Sequence, residues 1–344
     1  MSDWQSFLAG RGASLDPAGV ASFGKPLAEL LAARDGTIVA DLSHNALLSV
    51  TGDDAAAFLH GQFTNDVQAL APGAAQWNGW CSPKGRLLAT FLLFRRAEGF
   101  LMMLPADLAE PVAKRLRMFV LRSKVKIEDA GERFRRIGVA GRGGRAAVER
   151  AFGKAPDFMA SVDRDGSACV ALGIDRFVIF AAAEAAPALW EALAGEATQA
   201  GKDAGEWTSI GAGIPTVVAK TQDEFVPQMA NFELVGGVSF KKGCYPGQEI
   251  VARTQYRGIL KRRMVRAHAP PGDAPRPGDT LRSEAFGDQA AGVVANVAPS
   301  PEGGYDLLAV AQLEAIRSGD LRLADGPALR IEDLPYPTPG RDET

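Results

Sequence analysis

Cysteine, histidine and tyrosine are scarce in this chain, at three, three and four residues among 344. Cys81, Cys169 and Cys244 are widely spaced and odd in number, which argues against a disulfide framework and fits a reducing cytoplasm. With no C-x-x-C pair and no clustered histidines, the spacing offers no metal site. No apolar run approaches the roughly 20 residues that a membrane helix needs. The opening Met1-Ser2-Asp3-Trp4-Gln5 has no basic segment followed by an apolar stretch, so no secretory signal is expected and a cytoplasmic location is. His44, His60 and His268 are isolated, and spacing argues for neither a Ser-His-Asp nor a Cys-His pairing. Gly141-Arg142-Gly143-Gly144-Arg145 matches neither G-x-x-x-x-G-K-[ST] nor G-x-G-x-x-G, so a glycine turn before a helix suffices there.

The bulk of the chain is ordinary for a soluble globular protein, with 47% apolar and 23% charged residues, and its length suits two or three domains. Charge is unevenly spread. Between Lys241 and Arg266 stand eight basic residues against one acid, Glu249, so this segment carries +7 and the rest of the chain −10. A second basic run is Lys114, Arg115, Arg117, Arg122, Lys124 and Lys126. Such runs are usually solvated faces. The overall acidity and the lack of a repeated aromatic-basic pattern disfavour nucleic acid as the partner, and a polyanionic small molecule fits the basic segment equally well.

Residues 1–36 are broken up by Gly10, Gly12, Pro17, Gly19 and Gly24. Segments 38–42 and 46–50 alternate like strands, and Thr51-Gly52-Asp53-Asp54 offers caps for a helix carrying Ala57, Phe58, Leu59 and Phe63. Segments 87–94 and 100–104 read as a hairpin, 107–121 as a helix and 125–128 as a strand. From about Phe134 a second unit alternates strands (137–140, 169–172, 176–181) with helices (145–152, 187–194), compatible with a ferredoxin-like arrangement. Residues 195–206 read as a linker. After about Arg257, short segments between prolines (264–267, 280–282, 291–297, 307–311, 321–323) suggest a small β-barrel, with a loose tail after about Pro335.

The most informative stretch is Lys242-Gly243-Cys244-Tyr245-Pro246-Gly247-Gln248-Glu249. Gly243 and Gly247 permit backbone closed to other residues, and Pro246 fixes a turn between them. Gln248 onward reads as a short helix, so Cys244 lies near a helix N-terminus. That helix end and Lys241 and Lys242 favour thiolate over thiol; a free cysteine titrates near about 8.5, and such surroundings lower it by one or more units. The competing reading is a buried cysteine in a glycine turn.

The octapeptide, with Leu234 to Lys241 before it and Ile250-Val251-Ala252-Arg253 after it, resembles the signature of the YgfZ family. Those are folate-binding proteins of iron–sulfur cluster assembly and repair, related in fold to the aminomethyltransferase (T-protein) of glycine cleavage. Further landmarks follow in family order: Phe58 to Val67, Cys81-Ser82-Pro83-Lys84-Gly85-Arg86, Gly211 to Pro215 with Pro227-Gln228 and Asn231, then Arg257-Gly258 and Lys261-Arg262-Arg263. The resemblance implies an α+β fold. Two ferredoxin-like lobes (37–130 with 207–256, and 131–206) make a folate-binding region over 1–256, and an antiparallel β-barrel occupies 257–335.

It also implies a site. Cys244 is the reactive thiol and Lys242 its activating cation; Gly243, Tyr245 and Gly247 shape the loop, with Gln248, Glu249 and Arg253 holding it. Thr64, Asn65, Asp66, Lys84, Arg86 and Asn231 are the expected contacts to tetrahydrofolate, with or without a polyglutamyl tail, an amide beside a carboxylate being suited to a pterin's mixed edge. On residues alone, Thr64-Asn65-Asp66 serves equally as a cap and turn. The transferase's aspartate pair falls on Ala89-Thr90, so the carboxylate that activates folate for aminomethyl transfer is missing. The arginine common near Ser209 is missing too. The expected function is folate-dependent support of iron–sulfur enzymes such as radical methylthiotransferases, with a transient cluster contact, no resident metal, no nucleic acid and no membrane. The rivals are an aminomethyltransferase or demethylase and a purely structural adaptor.

Overall fold

The computed structural model describes residues 2–258, 260–323 and 326–339. The chain opens with α1 (Asp3–Ala9), β1 (Ser14–Asp16), β2 (Gly19–Ser22) and α2 (Pro26–Asp35). Next come β3 (Thr37–Asp41), β4 (Asn45–Thr51), α3 (Ala55–Gln62), β5 (Ala75–Cys81), β6 (Leu87–Arg96), β7 (Gly99–Pro105), α4 (Ala106–Val120) and β8 (Lys126–Asp129). Then follow β9 (Phe134–Gly141), α5 (Gly144–Phe152), β10 (Ser161–Arg164), β11 (Ser167–Gly173), β12 (Arg176–Ala182), α6 (Ala186–Ala194), β13 (Thr198–Ala200) and α7 (Lys202–Gly211). The last stretch holds α8 (Gln248–Arg257), β14 (Arg262–Ala269), β15 (Thr280–Arg282), β16 (Gly292–Pro299), β17 (Tyr305–Gln312), α9 (Leu313–Ser318), β18 (Arg322–Leu323) and β19 (Arg330–Glu332).

Two compact units emerge, and the chain passes back and forth between them: Met1–Phe58, Ala69–Gln76 and Leu92–Thr208 form one, Leu59–Gln68, Trp77–Phe91 and Ser209–Thr344 the other. In the first, a six-stranded sheet runs β10-β11-β12-β9-β3-β13, antiparallel except for the β3–β13 pair. Its core joins Val139, Ile179 and Phe177 of the sheet to Val148 and Phe152 of α5 and Trp190 of α6. The helix pattern is plain in α5, where Ala147, Val148, Ala151 and Phe152 are buried and Gly153 closes the helix at φ +83°. A second antiparallel ladder, β6-β7-β4-β8, lies in the same unit, with Leu92–Arg96 supplying β6.

Residues 195–206, expected as a linker, instead form β13 and the start of α7, whose Ala200 and Ala204 enter a small core with Leu30 and Ile38. The composition misled because a three-residue strand leaves almost no periodicity to read. The glycine-broken N-terminus is also anchored. Buried Glu29 accepts hydrogen bonds from the Ser22 hydroxyl (2.7 Å) and the Phe23 and Gly201 amides (2.8 and 2.9 Å), and the Trp4 indole donates to Asp41 (2.8 Å).

In the second unit the six strands β18-β15-β16-β17-β14-β19 make a curled antiparallel half-barrel around Val265, Leu281, Val294, Leu307 and Ala309. Its two edges approach each other, since the Leu329 amide donates to the Leu321 carbonyl at 2.7 Å. The sheet expected from residue 257 onward is therefore present, as a half-barrel. The tail is not loose throughout: the Tyr336 hydroxyl donates to the Gly213 carbonyl (2.7 Å) and Thr338 is buried, while residues 340–344 lie outside the described residues.

Candidate functional site

All the candidate site residues expected from the sequence fall in the second unit. The loop before α8 is built on glycine. Gly247 caps α8 at φ +79°, and Gly85, in the turn between β5 and β6, sits at φ +70°. A Cβ on Gly247 would stand 2.3 Å from the Ser82 carbonyl oxygen and 2.7 Å from the Gly85 backbone; a Cβ on Gly85 would meet Ile250 at 2.7 Å. The Cys81–Arg86 landmark and the thiol loop are thus interlocked backbone against backbone, at a spacing only glycine allows.

Around that contact the loop is tied down. The Tyr245 ring is buried and its amide donates to the Gln248 side-chain oxygen at 3.1 Å. Burial and the neighbouring Cys81 raise the Tyr245 phenol above its usual range, keeping it neutral. The Lys242 ammonium donates to the His60 carbonyl and to the Phe63 carbonyl (2.6 Å) at the C-terminal end of α3, carbonyls that have no partner within their own helix. It also lies 4.9 Å from the Tyr245 ring centroid. Burial brings Lys242 down to about 8, against the opposing pull of Asp66 and Cys244. The lysine expected as the thiol's activator is therefore first an anchor of the loop, with Cys244 close enough to act on it electrostatically.

Cys244 is exposed, whereas Cys81 and Cys169 are buried. Burial, then Asp223, pushes Cys81 up to about 12, and burial raises Cys169 further. Only Cys244 meets solvent as a thiol. Of the residues expected to hold its loop, Gln248 does so by hydrogen bond; Glu249 and Arg253 are exposed on α8, and among the described residues no ion pair involves either.

Thr64 is fully buried. Its hydroxyl donates to the Gly237 carbonyl (2.6 Å) and accepts from the Gly79 amide (2.8 Å), pinning β5 to the approach of the thiol loop. The Asn65 amide donates to the Trp77 and Gly236 carbonyls (3.0 and 2.7 Å), and its oxygen accepts from the Asp66 amide (2.9 Å). The Asp66 carboxylate stands 3.2 Å from His60 Nδ1. Lys84 and Arg86 are exposed, and Arg86 donates to the Asp223 and Glu224 carbonyls (3.1 and 2.8 Å). Asn231, at φ +55° and fully buried, donates to the Met264 carbonyl (2.9 Å) and accepts from Arg263 (3.2 Å). At the position aligned with the transferase's aspartates, Ala89 is buried and the Thr90 hydroxyl donates to the Pro215 carbonyl (3.1 Å) and accepts from the Val217 amide (2.9 Å).

His60 escaped the reading of the sequence, which treats the histidines as isolated. Its ring lies between Asp66 and the loop, where a Cβ on Gly243 would stand 3.4 Å from Nε2. The six-residue interval from His60 to Asp66 crosses a helix end, so no periodicity could have paired them. Among the described residues no group of three or more His, Cys, Asp or Glu side chains could hold a metal, and no helix is long and apolar enough to cross a membrane.

A mixed α/β region followed by a curled antiparallel half-barrel makes an aminomethyltransferase-like fold. The GCVT N-terminal domain matches residues 21–238, and the chain belongs to that family. The crystal structure of glycine cleavage system aminomethyltransferase T from Bartonella henselae aligns over 97% of this chain and 96% of that one, with a TM-score of 0.78 and 19% identity, a likeness of fold. The heterotetrameric sarcosine oxidase of Corynebacterium sp. U-96 aligns over 47% of this chain and 86% of that chain at a TM-score of 0.36 and 11% identity, too little to argue from.

Proposed function

We propose that this chain is a tetrahydrofolate-binding protein of the YgfZ type that assists assembly or repair of clusters in iron–sulfur enzymes, with Cys244 as its working thiol. One observation carries the reading: Cys244 is exposed while the residues beside it are anchored, Lys242 on two carbonyls, Tyr245 in the core and Gly247 against Gly85. A thiolate attacks sulfur or binds iron only where a partner atom reaches it, and a rigid loop presents it repeatedly in one geometry. In this reading residues 1–256 form the folate-binding region and 257–335 the C-terminal domain.

The polar residues expected around folate fit it unequally. Thr64 is committed to backbone partners and Asn231 to the Met264 carbonyl and the Arg263 guanidinium, so both serve the scaffold rather than the ring. Lys84 and Arg86 are exposed cations suited to the carboxylates of a glutamyl tail, and Asn65 and Asp66 are the candidates for the ring. Bound tetrahydrofolate would supply a carrier of one-carbon units. The transferase reading is disfavoured because Thr90, in the aligned place, has its hydroxyl tied to backbone and Ala89 offers no polar group.

The test is a strain lacking this gene, complemented with wild type or Cys244→Ala and assayed for radical methylthiotransferase activity. Wild type restores activity and Cys244→Ala does not; equal rescue discards the thiol role. Titration of the pure protein with tetrahydrofolate should give saturable binding, and a flat titration favours the structural adaptor. A glycine-cleavage assay with lipoylated carrier should give no turnover.

A further inference from the structure

A cavity of about 270 Å³ lies at the C-terminal end of α8, lined by Gln228, Glu233 and Arg263 together with Thr254, Gln255 and Gly258. Its buried chemistry is unbalanced. Three acceptors converge on the single Arg263 Nη1: the Gln228 carbonyl (2.9 Å), the Asn231 side-chain oxygen (3.2 Å) and Glu233 Oε1 (2.5 Å). That nitrogen carries two hydrogens. Gln228 is 2% exposed, and its Nε2 donates to the Val251 carbonyl at 2.8 Å, which fixes the amide's orientation and leaves Oε1 without a hydrogen bond among the described residues. The Glu233 side chain is 7% exposed, and its Oε2 likewise has no hydrogen bond among the described residues. Burial raises the Glu233 carboxyl above its ordinary value although Arg263 and the Glu233 and Leu234 amides oppose the shift. The carbonyl end of a ten-residue helix adds partial negative charge at the same place.

Two buried acceptors therefore stand without donors beside a cavity large enough for a small molecule, and each carries a desolvation cost that a donor would relieve. We infer that this cavity is a second ligand site, for a compact organic cation with at least two N–H donors: an ammonium, amidinium or guanidinium group bonded to Gln228 Oε1 and Glu233 Oε2. The site does not depend on the folate or thiol reading. α8 links the two regions, with the Cys244 loop at its first turn and the cavity at its last, about 15 Å away along the helix.

Calorimetric titration of the full chain tests this with three chloride salts: agmatine, n-butylammonium and tetramethylammonium. The third has the charge without N–H donors. The first two should bind saturably and tetramethylammonium at least tenfold more weakly. Glu233→Gln, and independently Gln255→Trp, which places bulk at the exposed rim and gives up only a long 3.5 Å contact from Gln228 Nε2 to the Gln255 side-chain oxygen, should each weaken agmatine binding at least tenfold. Should Glu233→Gln fail to fold, Gln255→Trp decides. No saturable binding to wild type, equal binding of tetramethylammonium, or unchanged affinity in a folded Gln255→Trp protein overturns the inference. Agmatine without n-butylammonium would place the source among guanidines, and both together among amines generally.

Discussion

The two ends of α8 are built on opposite principles. At the N-terminal end the groups that tie the loop down have backbone partners: Thr64 bridges Gly237 and Gly79, Lys242 caps α3, and Gln248 holds the Tyr245 amide. At the C-terminal end three acceptors share the two hydrogens of one guanidinium nitrogen, and among the described residues two buried side-chain oxygens have no hydrogen bond. Saturation makes a rigid platform from which one exposed atom projects. Acceptors without donors make a demand that a ligand can meet. One helix thus joins a presenting end to a receiving end.

Breaking the receiving end should have the largest effect. Arg263→Met leaves Glu233 buried without its cation and should cost about 3–5 kcal/mol of unfolding free energy, read from urea denaturation. An unchanged midpoint would mean that the pair is solvated and the contrast between the ends false. Breaking the presenting end at Gly247→Ala forces a Cβ to within 2.3 Å of a carbonyl oxygen at positive φ. The expected loss is about 2–4 kcal/mol, accompanied by faster proteolysis of the 239–247 loop. Thr90→Val, which removes a hydroxyl serving two backbone groups, should cost about 1–3 kcal/mol without changing Cys244 alkylation. That variant sharpens the comparison by separating structural threonine from working thiol.

The smallest expected effect is one of pH. Lys242 sits at about 8 in the folded chain, below its ordinary 10.5. Between those values the unfolded chain holds the extra proton, so the lysine's contribution to stability grows as pH rises through the window; below about 8 both states are protonated and the cost of burying the cation is fully present. Wild type minus Lys242→Met, compared by urea midpoints at pH 8 and pH 10, should move in the wild type's favour at the higher pH.

How much of this was legible beforehand follows from what each residue does locally. The strands 37–41 and 45–51, the helix α4 and the β14–β17 segments announce themselves by period or by flanking turns. The thiol loop was readable because glycine, proline and cysteine cannot be adjacent without a backbone reason. By contrast, β13 and α7 lay hidden in a stretch rich in glycine and charge, because their burial depends on Leu30 and Ile38, far away in sequence. The interlock of Gly85 with Gly247 and the Arg263–Glu233 pair join positions 162 and 30 residues apart, a distance at which no sequence period operates. Lys242 was assigned to the thiol on adjacency alone; its hydrogen bonds go to α3.

The most direct measurement is the alkylation rate of each cysteine at pH 7, followed by mass spectrometry against a free cysteine peptide. Cys244 should react within about tenfold of the peptide's rate, with Cys81 and Cys169 protected until the protein unfolds. A Cys244 rate as low as theirs would contradict the account of this loop as a platform for a working thiol.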